Sequence, residues 1–348
     1  MTASDPPFRR MLRTAGRLLE TWGPVFALLL LLGYNGFFGE NAELFRRPEN
    51  LRNIVNQNAA MGIVAVGMTL VIIAGGIDLS VGSIMALAGA TALTVVNRLM
   101  TGSEGAPGMS EGAAVALGLA TGLGAALGCG LVNGALVTVG RIPSFIATLG
   151  GLVAYRSITL AIADAGEIRS ESPEIFGSFG SMQFPFLPLS DRTLTITLNI
   201  ILFVAIAAVG QVVLGRTRFG RHLVAVGGNE LAARYSAVPV GLVRLGAFAL
   251  MGLCAGVAGL MLSSRMNSVS SSQLGLNVEL DAIAAVVIGG TSMAGGRGRV
   301  WGTVVGVLIL AIINNMLVMR GVSVHWQGFV KGVIIVLAVL IQRGRPNH

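Results

Sequence analysis

The 348-residue chain is 53% hydrophobic and 11% charged, holds 49 glycines and has a mean hydropathy of +0.78, which excludes a soluble single-core domain and marks a polytopic membrane protein. Its 24 basic and 16 acidic residues leave a net charge of +8. They lie between apolar runs, so the excess speaks for membrane topology and against a nucleic-acid partner.

The expected fold is all-α, a polytopic integral membrane protein of about ten transmembrane helices with both termini cytoplasmic. Residues 1–21 carry Arg9, Arg10, Arg13 and Arg17 and read as a cytoplasmic segment; residues 22–341 form one transmembrane domain, and 342–348 a cytoplasmic tail. The first apolar run, 22–38, ends without a small-x-small cleavage site and reads as an uncleaved span. A mixed-charge loop, 40–58, precedes a second span at roughly 59–76, and a third runs at roughly 83–98.

Between these two spans lies Gly75-Gly76-Ile77-Asp78-Leu79-Ser80-Val81-Gly82-Ser83, which puts a lone carboxylate at a glycine-marked break. Non-helical backbone at membrane depth survives only where protein buries it or where it lines a wet cavity, so Gly75, Gly76, Asp78 and Ser80 are translocation or gating candidates. A tight turn with Asp78 capping the next helix explains the same residues. The two readings are compatible, and Asp78 is expected to act as a fixed structural and gating element instead of a proton carrier.

Further along, 113–139 is one apolar segment with a small residue at almost every turn, which lets helix backbones approach closely; its single amide, Asn133, reads as interhelical glue or as a path residue. Arg141 to Gly150 opens a fifth span containing Thr148. Arg156 lies deep in apolar sequence and must face protein or a cavity, unless it snorkels to the interface. An acidic loop, 164–192, is assigned outside. The basic loop 215–244 is assigned inside, and within it Gly227-Gly228-Asn229-Glu230-Leu231-Ala232-Ala233-Arg234 reads as a glycine break, an Asn229 cap and about two helical turns stopped by Pro239. Such a short polar helix suits docking, with Gly228, Asn229, Glu230, Ala233 and Arg234 as its candidates. A serine-rich outside loop, 263–279, leads to a short eighth segment, 280–293, and spans nine (300–319, with Asn314) and ten (328–341) follow. Arginine favours the assigned inside, though moderately. Val71 to Gly76 and Ala285 to Gly290 are both apolar runs ending in a glycine pair, which suggests an internal repeat.

Catalytic chemistry is sparse. The one lysine, Lys331, lies in Gly328-Phe329-Val330-Lys331-Gly332, which is no phosphate-binding loop, so ATP hydrolysis would need another chain. The scattered histidines form no metal or triad pattern, and Cys129 and Cys254 lie in apolar runs that imply no disulfide. A membrane path for a solute, powered from elsewhere, is what remains.

From about residue 50 onward the chain resembles the permease subunits of bacterial ABC sugar importers, the ribose-type branch of a family that also holds branched-chain amino acid permeases. The resemblance rests on Gly75 to Ser83, Arg141 to Gly150, Gly227 to Arg234, and Asp281 to Ser292 with Gly295-Gly296-Arg297-Gly298. It implies import of a monosaccharide such as ribose across the bacterial inner membrane by alternating access. The implied partners are a second permease copy, a cytoplasmic ABC ATPase that carries the ATP and meets the 227–239 helix, an extracytoplasmic sugar-binding protein, and the lipid bilayer. No cofactor is expected on this chain. One departure is Ser144, where such permeases often carry a second proline after Pro143. Rival readings are an ion-coupled secondary carrier titrating Asp78, a passive channel, and an ABC permease for branched-chain amino acids or nucleosides.

Overall fold

The computed structural model describes residues 22–39, 41–101, 108–188 and 193–343, so the expected cytoplasmic segment 1–21 and the tail beyond Arg343 lie outside the described residues. Helix α1 (Trp22–Phe38) ends in a π-helical turn, and the short α2 (Ala42–Arg46) leads into α3 (Pro48–Ile73). Then follow α4 (Val81–Thr101), α5 (Glu111–Thr138), α6 (Ser144–Ile162), α7 (Ile175–Ser181), α8 (Leu198–Arg216), α9 (Arg218–Gly228), α10 (Glu230–Tyr235) and α11 (Val240–Met266). The described chain closes with α12 (Val278–Ile288), α13 (Val300–Met319) and α14 (Val324–Arg343).

Among the described residues, seven helices are long and apolar enough to cross a membrane: α3, α4, α5, α6, α8, α11 and α13. The other three expected spans correspond to α1, α12 and α14. With 11 residues, α12 rises about 16 Å, half of a bilayer core. The expected loop 40–58 is instead α2 and the opening turns of α3. Those turns are helical because their polar side chains have partners: Asn50 bonds Asn315, Arg52 bonds the Thr195 hydroxyl at 2.8 Å, and Asn56 accepts from Thr197 at 2.6 Å.

Two short antiparallel ladders supplement the helices, which an all-α expectation did not include. Strand β1 (Glu167–Arg169) pairs with β4 (Ser268–Ser270), and β2 (Gln183–Pro188) pairs with β3 (Thr193–Thr197). Both ladders satisfy backbone groups of long connections that would otherwise be left unpaired. They gather at the ladder end of the bundle, where the Asn97 amide also donates to the Arg169 carbonyl.

The core forms around α3, α4, α5 and α11. As expected for a glycine-spaced helix, α5 lies backbone to backbone against its neighbours: a Cβ at Gly130 would strike the Phe248 carbonyl, and one at Gly122 would come within 2.6 Å of the Ala88 carbonyl. Gly124 and Gly128, on the far side, meet nothing within 4 Å.

Candidate functional site

At the end opposite the ladders, the break after α3 has a defined geometry. Gly75 adopts φ +82°, and the amides of Gly75 and Gly76 donate back to the Ile72 and Val71 carbonyls, each at 2.9 Å. This is a Schellman stop, which favours glycine because side chains clash in the left-handed region. Helix α12 ends the same way: Gly290 has φ +89°, and Thr291 N–H donates to the Val286 carbonyl. The two suspected repeat segments therefore share a stop, offset by one residue within their glycine pairs.

Beyond the stop, residues 76–80 run non-helically along α6. The Ile77 N–H donates to Ser144 Oγ at 3.2 Å, and the Thr148 hydroxyl donates to the Ile77 carbonyl at 3.3 Å and the Ser144 carbonyl at 2.8 Å. Ser144, where the resemblance leads one to expect proline, thus supplies an acceptor that a proline lacks. Asp78 is fully buried, and its Oδ1 accepts the Ser80 N–H at 2.9 Å and the Ser80 hydroxyl at 2.7 Å. Asn133 Nδ2 donates to Ser80 Oγ at 2.8 Å, and the Tyr155 hydroxyl donates to Asn133 Oδ1 at 2.9 Å. Asp78 Oδ2 has no hydrogen-bond partner.

This arrangement corrects the simple cap. Ser80 is the residue whose carbonyl accepts the first bond of α4, from Ile84 N–H at 2.9 Å. Asp78 bonds two residues ahead in an Asx-type turn and so shapes the entry to α4 without capping its N–H groups.

The basic loop forms the second half of the site. Asn229 caps α10, its Oδ1 accepting from Ala232 N–H at 3.0 Å, and Ala233 buries the inner face of this helix while Leu231 and Tyr235 stay exposed. Glu230 pairs with Arg234 at 2.6 Å and with Arg244 of α11 at 2.7 Å. The Arg234 hydrogen bond is the largest influence on the Glu230 carboxyl; burial, next in size, opposes it, and with the added pull of Arg244 the carboxyl is held below its ordinary value. A cleft of about 790 Å³ separates α10 from the break, lined among others by Gly75, Gly76, Arg141, Ser144, Glu230, Arg234 and Arg244.

Glycines close the junction behind the cleft. Gly296 N–H donates to the Ile73 carbonyl at 2.9 Å, and Gly227 lies so close that a Cβ would overlap the same carbonyl. Gly228 is less confined, with its nearest obstacle at 4.0 Å. Gly75, Ser144, Gly227 and Gly296, one from each of four separate sequence motifs, are thereby brought to one end of the bundle.

Two candidates lie elsewhere. Arg156 does not snorkel: its Nη1 donates to the Ser271 and Leu274 carbonyls at 2.9 and 3.0 Å, pinning a connection between α11 and α12. Asn314, on α13, is remote from the Asp78 network, next to the Asn50–Asn315 pair. Sequence reasoning passed over Tyr155 and Arg244 as site residues. Tyr155 carried the signal of a hydroxyl in an apolar helix, and Arg244 that of a basic residue at a helix start, where the dipole disfavours it.

The chain matches the family described as branched-chain amino acid transport system / permease component over residues 50–339. It is 40% identical over 320 residues to a ribose import permease protein of Escherichia coli (strain K12), covering 91% of this chain and 92% of that one. The corresponding Bacillus subtilis (strain 168) ribose import permease is 38% identical over 327 residues, with 94% of each chain covered. A xylose transport system permease protein of Escherichia coli (strain K12) is 34% identical over 372 residues, covering 92% and 91%. No solved structure matches this chain. With Gly75 to Ser83, Arg141 to Gly150 and Gly227 to Arg234 all inside the matched residues, the chain belongs to this family of transport-system permeases.

Proposed function

We propose that this chain is the membrane-spanning subunit of an ATP-binding-cassette importer that carries a monosaccharide, ribose or a similar pentose, across a bacterial inner membrane. The observation that carries the reading is the 40% identity to a ribose import permease across nine-tenths of both chains. A xylose permease relative favours a pentose and leaves its identity to experiment. In this reading the chain crosses the membrane about ten times with both termini cytoplasmic, works as a homodimer, and binds no cofactor of its own. A separate ATPase supplies the energy, and an extracytoplasmic binding protein delivers the sugar.

The geometry supports a route for that energy. A partner pressing on α10 moves Glu230, which is tied to Arg244 at the start of α11. Helix α11 packs along α3, α4 and α5, the helices that hold the break and Asn133, so a push at α10 reaches the Asp78 network through packed elements. Alternating access follows if closure of the ATPase pair rocks these helices about the glycine junction.

The test is reconstitution of the chain with an ATPase and a binding protein encoded beside it. ATP-dependent uptake of labelled D-ribose or D-xylose is expected, and the chain alone should hydrolyse no ATP. Uptake driven by a proton or sodium gradient without ATP would instead favour an ion-coupled carrier.

A further inference from the structure

The connection between α11 and α12 was expected to be an outside loop, yet it returns into the bundle. Strand β4 lies at the ladder end, and from it Ser271–Asn277 turns back along α4 and α6. Arg156 holds the backbone of this segment through two carbonyls. Gly275 lies against Gly82 so closely that a Cβ on either would overlap the other's backbone, and Ser83, next in the chain, donates to the Leu152 carbonyl at 2.8 Å. Leu152 stands eight residues from the start of α6 and ten from its end, so this contact lies about 12 Å from one end of that helix and about 15 Å from the other. The segment therefore reaches the middle of the bundle, and α12 begins there as a half-length helix.

At this depth the side chains of Ser272, Gln273 and Asn277 are exposed, interleaved with exposed Leu276 and Leu280. Asn277 occupies the N-cap position of α12 with φ +63°, yet its amide makes no capping bond. Amides turned toward hydrocarbon would forfeit their hydrogen bonds, and non-helical backbone at membrane depth is tolerated where it borders a wet cavity. A primary amide both donates and accepts, which matches vicinal hydroxyls, while a leucine covers the C–H face of a sugar ring.

Building on the pentose-permease reading, we propose that the re-entrant Ser271–Leu280 segment lines the translocation path and that Gln273 and Asn277 contact the hydroxyls of the passing sugar. Arg156 is a positioning residue in this arrangement, since it fixes the backbone that presents the two amides.

The experiment uses the complete transporter in liposomes. Asn277→Gly keeps the left-handed backbone and removes the amide, while Gln273→Leu removes the other amide at similar volume. For each, D-ribose and D-xylose uptake should fall about tenfold, with ATP hydrolysis stimulated by the binding protein staying within about twofold of the parent. Uptake unchanged in both variants would overturn the contact. In a second arm, Gln273→Cys and Asn277→Cys are exposed to a charged, membrane-impermeant maleimide, with the parent chain reporting the background of Cys129 and Cys254. Labelling above that background, slowed by D-ribose, is expected. Labelling only by an uncharged, lipid-soluble maleimide, or none, would mean the face meets lipid or protein and would defeat the proposal. If the parent transported neither sugar, the pentose reading would fall, and the labelling contrast would still decide whether this face is wet.

Discussion

Asn133 on α5 donates to the Ser80 hydroxyl at 2.8 Å, although 53 residues separate the two. Both side chains are fully buried, and the Ser80 hydroxyl in turn donates a hydrogen bond to Asp78 while Tyr155 donates to Asn133 from the other side. A buried polar chain of this kind ties the break after α3 to α5 and α6, and removing one member leaves its neighbours unsatisfied. Asn133→Leu should therefore destabilise the purified protein by about 1–3 kcal/mol. Thermal unfolding in detergent checks this, and an unchanged midpoint would mean the network contributes little.

Asp78 uses one oxygen for two bonds and leaves the other without a partner. Asp78→Asn preserves the accepting Oδ1 and should keep a good part of transport. Asp78→Leu strips both acceptor bonds from the Ser80 N–H and hydroxyl, at about 1–3 kcal/mol for buried groups left unsatisfied, and should abolish uptake. Equal and complete loss in both variants, with gradient-driven uptake by the parent, would identify Asp78 as a proton carrier.

Glu230 is the shared partner of two arginines, which ranks the charge reversals. Arg234→Glu leaves Glu230 paired with Arg244, whereas Glu230→Arg confronts Arg234 and Arg244 with a third cation. Uptake should fall in both and further in the second, with membrane insertion intact; normal transport by both would remove the docking role from α10.

The lowered Glu230 value also carries a pH prediction. A carboxyl depressed in the folded state contributes fully above its ordinary value of 4.5 and loses that contribution as pH falls through the depressed value. Proteolytic nicking of residues 228–239 should thus stay constant from pH 8 down to about pH 5 and rise only below the ordinary carboxylate range. A rise near neutrality would contradict this pairing.

Neighbouring glycines are expected to differ sharply. A Cβ at Gly227 would overlap the Ile73 carbonyl and lie 2.6 Å from the Gly296 amide, while at Gly228 the nearest atom is 4.0 Å away. Gly227→Ala should cost about 1–3 kcal/mol by overpacking the junction, and Gly228→Ala should be nearly silent. Comparing the yield of folded protein and uptake for the two variants checks the ranking, and an inverted order would refute the junction geometry.

What the chain determines by itself is whatever depends on residues close in sequence. Hydropathy marks the membrane class and the longer spans, a glycine pair marks the stop after Ile73, and Asn229 with Glu230 and Arg234 marks a short capped helix, because caps, stops and i,i+4 pairs are settled within one or two turns. Polar opening turns defeated the same reasoning at α3, where Arg52 and Asn56 hydrogen-bond Thr195 and Thr197, far along the chain. Only the tertiary structure decided that Arg156 holds the Ser271–Leu274 backbone instead of reaching for the interface, that the serine-rich connection re-enters the bundle beside Gly82, and that Asp78, Ser80, Asn133 and Tyr155 form one chain of hydrogen bonds. Each of those outcomes depends on which partner the packed helices bring within about 3 Å of a buried polar group, and a linear pattern holds no record of that distance.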